Sequence, residues 1–552
     1  MGAIIDVIAI AIFIGIVGVT YQLTGLIAME RELGMSQLID CMLPNSSLWM
    51  SQAARFSAAH LALDIVYGPG WVIMGGILQA GVYSRTSAGI TIVHHLLTGL
   101  ALSSFSIFGA SFFKKAQLSG ISVVLACLIL GVIAQMVPAR SNGPVIVLGL
   151  LFPSMNYVYF SIFVARWERE NIAATLTEAA PNNPWDLPGI ALWVLLIVQI
   201  FAYPILASMV ERVLYGTASK NRRASNSDAS VALSIRDFTK IYQPGWFYHT
   251  IGRWSGSKRQ TVHAVDNLSM NISKGQIMVL LGANGSGKST TLDAIAGLSK
   301  LSSGDININY ENKQPQLGLC PQKNVLWDNL TVKEHVKIFN KLKSTGQTDT
   351  TSLIMQLLKD CDLNTKFKAR SKTLSGGQKR KLQLAMMFTG GSSVCCVDEV
   401  SSGLDPISRR KIWDILLAER GSRTIILTTH FLDEADLLAD HIAILSKGVL
   451  KASGSSVELK NHLGSGYRIH VPKTKTPDSK RVAQNQLQGV PSESHFDETV
   501  YTAQDSAEAS RFLRNLKLQN FADYRVSGPT IEDVFLKVAT ELATDPEKRG
   551  QQ

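Results

Sequence analysis

Cysteine is scarce in this chain, with six in 552 residues. Cys41, Cys127, Cys320, Cys361, Cys395 and Cys396 form no C-x-x-C pair and join no His/Cys cluster, so neither a zinc site nor a disulfide framework is indicated. Cys395 and Cys396 fall in an apolar run that reads as a buried strand. There cysteine acts as a small apolar residue, and reduced thiols are expected. Charge is scarce as well: Asp, Glu, Lys and Arg make up 18% of the residues, below the roughly 25% of an ordinary soluble domain. What charge there is leans basic, at net +11. No aromatic-interleaved basic patch accompanies it, so nucleic acid is not an expected partner. Lys and Arg gathered on the cytosolic side of a membrane account for the balance.

Long apolar runs are abundant, but only before about residue 215. Six segments stand out, near 3–28, 57–83, 88–112, 118–137, 143–165 and 189–212, each close to the ~20 residues that span hydrocarbon. Loop charge decides how many cross. Glu30, Arg31, Glu32 and Arg55 lie in 29–56, Lys114 and Lys115 follow the third segment, and Arg212, Lys220, Arg222 and Arg223 follow the sixth. With the C-terminal region in the cytosol, six crossings would place Lys114 and Lys115 outside. Five place them and the 29–56 connection inside, as the positive-inside tendency prefers. The segment expected to dip in and return is 143–165, which follows Pro138 and Gly143-Pro144 and contains Pro153.

Five crossings put Met1 outside. The first segment lacks a basic n-region and is too long for a secretory leader. An upstream span, or a longer chain of which this is part, is therefore expected. Asp64 in the second segment reads as an interfacial carboxylate, and His94 and His95 in the third are weaker candidates for a substrate path. Residues 216–231, with GTASKNRRASNSDAS, read as a flexible basic tether. Within it Arg222-Arg223-Ala224-Ser225 has the pattern of a basophilic kinase site, which any exposed linker can show by chance.

The second half opens differently. GANGSGKS, Gly282 to Ser289, follows the apolar strand QIMVLL and precedes the helical TTLDAIAGL. This is the phosphate-binding loop pattern G-x-x-x-x-G-K-S/T in its strand–loop–helix setting. Its glycines let backbone N–H groups curl around phosphate oxygens, and the helix N-terminus adds positive potential. Asn284, Gly285, Ser286, Gly287 and Thr290 complete the cradle. Lys288 would reach the β- and γ-phosphates and the Ser289 hydroxyl Mg²⁺. SSVCCVDEV, 392–400, is an apolar strand ending in two acids: Asp398 for Mg²⁺ and Glu399 to polarise the attacking water.

These motifs, with LSGGQKRK at Leu374–Lys381, resemble the ATP-binding cassette (ABC) ATPases over about 232–465. The resemblance implies further roles. Gln322 in LCPQKN matches the loop that senses Mg²⁺. SSGLD, ending in Asp405, matches the loop facing a partner cassette. His430 in LTTH matches the switch histidine at the γ-phosphate. Tyr242 matches the aromatic that stacks on adenine, although GWFYHTIGRWSGSKRQ sets it farther from Gly282 than is usual, and Trp246 or Tyr248 could substitute. Val400 stands where the family often has Pro. In the family two cassettes pair head to tail, so Ser375, Gly376, Gly377 and Gln378 would close over the ATP of a second cassette.

The stretch 430–469, SGGQKRKL and TIEDVFLKV at 530–538 resemble the A subfamily of ABC transporters. The implied architecture is a multidomain one: an α-helical transmembrane bundle (1–215), the α/β P-loop cassette, and a small α+β regulatory-type domain and tail (466–552). The last is read from YRIHV, a helix-like 479–488, TVYTA, SAEASRFLRNLKL and DYRV. The implied function is ATP hydrolysis coupled to movement of lipids or other hydrophobic molecules, with the 29–56 and 112–118 connections transmitting the change. The alternative is a non-transporting, membrane-anchored cassette acting as a nucleotide-gated regulator or subunit.

Overall fold

The computed structural model describes residues 2–42, 48–136, 141–216, 221–225, 230–243, 261–309, 317–343, 350–464, 466–472, 491–495, 497–518 and 523–541. The chain divides into two compact units, Met1–Thr217 and Ala218–Gln552.

The first unit is all helix. α1 (Gly2–Glu32), α3 (Leu48–Gly81), α4 (Ala88–Ala110), α5 (Ala116–Met136) and α8 (Gly189–Tyr215) contain the five stretches long and apolar enough to cross a membrane. A helix is the form such runs must take, because it bonds every interior backbone group without water. On α3, Leu61, Ile65, Val66, Ile73 and Ile77 are 61% to 69% exposed, an apolar surface that suits lipid and not water. α4 is the most enclosed span, packed on α1, α3, α5, α7 and α8. Close approach needs small residues: a Cβ on Gly75 of α3 would lie 2.8 Å from the Ile92 Cα of α4.

The 29–56 connection is not a plain loop. It contains α2 (Met35–Met42), whose Met35, Leu38, Ile39 and Met42 are buried. Arg31, just before it, donates to the carbonyls of Ala110 (2.6 Å) and Phe113 (2.8 Å) at the end of α4 and pairs with Glu211 of α8 at 3.0 Å.

The segment 143–165 forms two helices, α6 (Asn142–Leu151) and α7 (Pro153–Arg169). Pro153 offers no N–H and breaks the ladder, which orphans the last carbonyls of α6. α8 supplies the missing donors. Gln199 Nε2 donates to Gly149 O (2.8 Å) and Leu150 O (2.9 Å), and Tyr203 OH donates to Leu151 O. His94 and His95 are buried against α7. The His94 ring stacks on Phe160 with centroids 3.8 Å apart, and His95 bonds Thr91 O and the Tyr157 hydroxyl. Asp64 is not an isolated interfacial carboxylate: it meets His60 on its own helix and accepts from Ser103 Oγ on α4 at 3.1 Å.

The second unit holds three sheets. β1 (Arg222–Ser225), β5 (Ser303–Asn309), β2 (Val231–Tyr242) and β3 (Val262–Ser273) form the first in that order. The expected tether thus differs: Arg222–Ser225 pairs with β5 in parallel, and Arg222 Nε donates to Ile295 O at 2.9 Å. The main sheet runs β10 (Val449–Gly454), β9 (His441–Ser446), β4 (Ile277–Leu281), β8 (Thr424–Thr429), β7 (Val394–Asp398), β6 (Leu317–Cys320). All its pairings are parallel except β10 on β9. β4 and β8 are buried at every position, the mark of parallel strands covered on both faces. Cys395 and Cys396 lie buried in β7.

Three helices pack on this sheet, α9 (Lys288–Ala296), α12 (Gly376–Phe388) and α14 (Leu432–Leu438); α10 (Val332–Lys343) and α11 (Thr351–Asp360) pack on α12, and α13 (Pro406–Ala418) packs on α12 and α14. After α15 (Ser456–Leu463), β11 (Tyr467–Pro472), β12 (Ser492–Ser494), β13 (Glu498–Ala503) and β14 (Arg525–Ser527) form an antiparallel sheet ordered β12-β13-β11-β14. α16 (Ser506–Leu518) covers it and α17 (Ile531–Glu541) packs on α15. The expected helix at 479–488 lies outside the described residues.

Replacing Gln199 by Leu removes one donor from two buried carbonyls. The expected cost is about 1–3 kcal/mol. It is read as a lower thermal midpoint of the membrane-embedded chain.

Candidate nucleotide-binding site

Three parallel strands end at one level. Leu281 of β4 stands opposite Thr429 of β8, and Thr428 opposite Asp398 of β7. The residues after each strand therefore emerge together: Gly282 to Gly287, then His430, then Glu399. The carboxyl ends of parallel strands are where open α/β sheets bind ligands.

The loop after β4 is cradle-shaped. Gly285 and Gly287 adopt φ of 78° and 99°, a region that side chains disfavour. A Cβ on Gly287 would also lie 2.6 Å from the Ala264 carbonyl of β3. Ser286 is buried and its hydroxyl has no partner, an orphan that a phosphate oxygen would satisfy. Lys288 Nζ donates to the carbonyls of Gly282 (2.8 Å) and Ala283 (3.0 Å), folded over its own loop. Burial pulls its pKa below the usual lysine range, against the attraction of Glu399 and Asp398. Ser289 and Thr290 follow at the start of α9.

The acids form a linked set. Asp398 Oδ1 accepts from Ser289 Oγ (3.1 Å) and from Thr428 Oγ1 (2.5 Å). Burial raises the Asp398 pKa, and these hydroxyls oppose the rise. Glu399 adopts a positive φ of 43°, a strained conformation for a residue with a side chain. Two contacts hold it there: its N–H donates to Thr428 O and its carboxylate accepts from Gln322 Nε2 at 3.0 Å. His430 Nδ1 stands 3.4 Å from Glu399 Oε1. Thus Lys288, Ser289, Gln322, Asp398, Glu399 and His430 converge on one place. Among the described residues no group of three or more His, Cys, Asp and Glu side chains forms a metal cage. One hydroxyl and one carboxylate at 3.1 Å suit a hard divalent cation that takes its other ligands from phosphates and water.

The signature residues do not join this set. Ser375 caps α12: its hydroxyl accepts from Gln378 N–H, and the Gln378 side chain accepts in return from Ser375 N–H. Ser375 and Gly376 are exposed, and Gly377 packs on Ser408. Among the described residues no hydrogen bond or ion pair links Ser375–Gln378 to Gly282–Thr290. Asp405 caps α13 by accepting from Ser408 N–H at 2.9 Å, and bonds to Ser408 hold its pKa below the usual range. Tyr242 lies opposite Val262 in the β2–β3 ladder, two residues before the Ala264 whose carbonyl borders Gly287. Lys240 Nζ sits 4.8 Å above its ring. Trp246 and Tyr248 lie outside the described residues.

Five neighbours of the site were assigned no role by the motifs. Arg380 donates to Pro321 O (2.9 Å) and Gln322 O, and Gln383 Nε2 to Lys323 O (2.8 Å), so α12 fixes the loop that bears Gln322. Thr428 holds both acids. Glu434, buried on α14, accepts from Ser401, Thr429 and Trp413 and ties together the segments that bear Asp405 and His430. Asp293, on the α9 face toward Asp398, is pushed by burial from its ordinary 3.8 up to about 7, with Asp398 adding to the rise. Polar residues repeating three apart on a buried helix face, as Arg380 and Gln383 do, were the available signal.

Residues 265–402 match the family described as ABC transporter. The chain is similar to the phospholipid-transporting ATPase ABCA3 of Rattus norvegicus, 37% identical over 338 residues, which are 58% of this chain and 19% of that protein. It is 40% identical over 304 residues to ABC transporter A family member 5 of Dictyostelium discoideum, covering 51% of this chain and 18% of that one. The match to ATP-binding cassette sub-family A member 2 of Homo sapiens is 35% over 319 residues, 50% of this chain and 13% of that one. The chain therefore spans about a fifth or less of the length of these curated relatives. A dimeric bacterial ABC transporter cassette of known structure is similar at 23% identity and a TM-score of 0.35, covering 40% of this chain and 98% of that one.

Asp293 provides a pH test. A carboxyl with a raised folded-state pKa keeps a proton that the unfolded chain releases, so stability falls as pH rises from about 4 to about 7. Asp293→Asn removes that loss, worth about 1 kcal/mol per pKa unit. Nucleotide-free melts of the variant should decline less between pH 5 and 7.5 than those of the unaltered chain.

Proposed function

We propose that this chain, which carries an ATP-binding cassette of the A-subfamily ABC transporter type, hydrolyses ATP at its 282–290 cradle and uses the cycle to move lipids or other hydrophobic molecules across a membrane. The observation that carries the reading is the union, in one polypeptide, of five apolar helices with converging Lys288, Ser289, Asp398, Glu399, Gln322 and His430. The relatives named as phospholipid-transporting ATPases support the substrate class. The cassette belongs on the cytosolic side of the membrane, where ATP is found.

The roles follow from the geometry. Backbone N–H groups of Gly285 to Ser289 hold the β- and γ-phosphates, and Lys288 leaves its two loop carbonyls to neutralise them. Ser289 and Asp398 are the ligands for Mg²⁺, which when bound offsets the charge that builds on the phosphoryl oxygens. Glu399, held by Gln322 and its own strained backbone, accepts the proton of the attacking water. His430, beside it, is placed to bond the γ-phosphate. Tyr242 is the adenine-stacking residue of this reading.

The signature loop serves a second cassette. Ser375 and Gly376 are exposed at the N-terminus of a long helix, and they meet nothing at the cradle of their own domain. ATP held by a partner fills the place they offer, and Asp405 faces the same partner.

Lys288→Ala should weaken nucleotide binding at least about tenfold, the loss of one charged bond. Glu399→Gln should leave binding intact and lower turnover by about 10²–10⁴-fold. In proteoliposomes carrying the chain with its companion cassette, lipid movement should stop in Glu399→Gln. Equal lipid movement with and without that change would refute the coupling.

A further inference from the structure

From the hydrogen-bond inventory where α3, α4 and α8 meet, we infer that His60 and Asp64 form a site that binds one proton inside the helical unit and locks these three helices together. The inference goes beyond the cassette reaction and does not depend on it.

A hydroxyl has a single proton to give. Ser104 Oγ gives its proton to the Ile200 carbonyl of α8 at 2.9 Å, and it also lies 2.8 Å from His60 Nε2. At that contact the hydroxyl can only accept, so Nε2 carries a proton. On the other side of the ring, Nδ1 meets Asp64 Oδ2. A ring nitrogen and a carboxylate oxygen in bonding contact need a proton between them. Asp64 Oδ1 meanwhile accepts from Ser103 Oγ at 3.1 Å. The pair therefore holds one proton more than a neutral imidazole and a carboxylate together. With it, the pair carries no net charge. Without it, a net negative charge is left within the apolar stretch Gln52–Gly81, which is costly.

Serine, histidine and aspartate in series suggest a hydrolytic triad, but the bonding here does not permit one. Ser104 is fully buried and its proton is committed to a backbone carbonyl, so His60 has no proton to take from it. The chain Ile200–Ser104–His60–Asp64–Ser103 is instead a clamp that runs from α8 through α4 to α3 and back.

Little else bears on its charge. α3 offers Arg55 and Tyr67. α4 contains no Asp, Glu, Lys or Arg, only His94 and His95, and α5 contributes Cys127 alone. On α8 there are Tyr203 and, about three turns or more beyond Ile200, Glu211, Arg212 and Tyr215. α1 contributes Asp6, Tyr21, Glu30, Arg31 and Glu32. α7 contributes Tyr157, Tyr159, Arg166, Glu168 and Arg169. Among the described residues none of these bonds to His60 or Asp64; Arg31 and Glu211 pair with each other, and Glu168 binds the 85–86 backbone.

The test is nitrogen-15 NMR of histidine-labelled full-length chain in lipid nanodiscs, with His60→Gln identifying the signal and His60→Asn as a second reference should the first misfold. At pH 7 the Nε2 of His60 should be protonated. Its Nδ1 should be displaced from the position of a bare ring nitrogen, moving to that position in Asp64→Asn. A bare Nδ1 at pH 7, or one unmoved by Asp64→Asn, overturns the site. At pH 7 Asp64→Asn should lower the thermal midpoint, and an unchanged midpoint overturns the clamp.

Discussion

A backbone N–H or C=O removed from water must be bonded within the protein, and this constraint shapes both halves of the chain. Before residue 217 it forces apolar segments into helices and makes any break a problem to be solved by side chains. Pro153 creates such a break, and Gln199 and Tyr203 of α8 close it. Arg31 does the same for the end of α4. In the cassette the constraint is reversed to a purpose. The loop after β4 leaves the buried Ser286 hydroxyl without a partner among the described residues, an orphan that an anion would satisfy.

The candidate site rests on sheet register. Because β4, β8 and β7 are parallel neighbours, the phosphate loop, His430 and Glu399 arrive at one edge without any long-range contact of their own. Thr428 then binds Asp398 and positions the Glu399 amide. Glu434 and the Arg380–Gln383 pair fasten the loops around this edge. The candidate site sits on short loops, and their positions are set by buried parallel strands.

Much of this was legible from residue order alone. The phosphate loop, the paired acids and LSGGQ use neighbouring residues, so a local pattern carries them. The apolar runs were equally plain, since a span must be continuous. The polar stretch at 216–231 misled: Arg222–Ser225 reads as a tether, yet it adds a strand to β5, because pairing across a sheet edge overrides local composition. For Asp64, read as an interfacial carboxylate, no local pattern told that His60, one helical turn before it, and Ser103, on another helix, would stand beside it.

By itself, then, the order of residues determined the classes of segment, the cassette motifs and the residues able to touch phosphate, since each depends on groups close along the chain. Only the tertiary structure decided that Lys288 folds onto its own loop, that Gln322 holds Glu399, that the signature residues stand apart from the cradle they resemble serving, and that His60 and Asp64 share a proton with two serines in attendance. Those facts arise from contacts between segments far apart in sequence. Helix packing and strand register choose such contacts, and no local pattern encodes them.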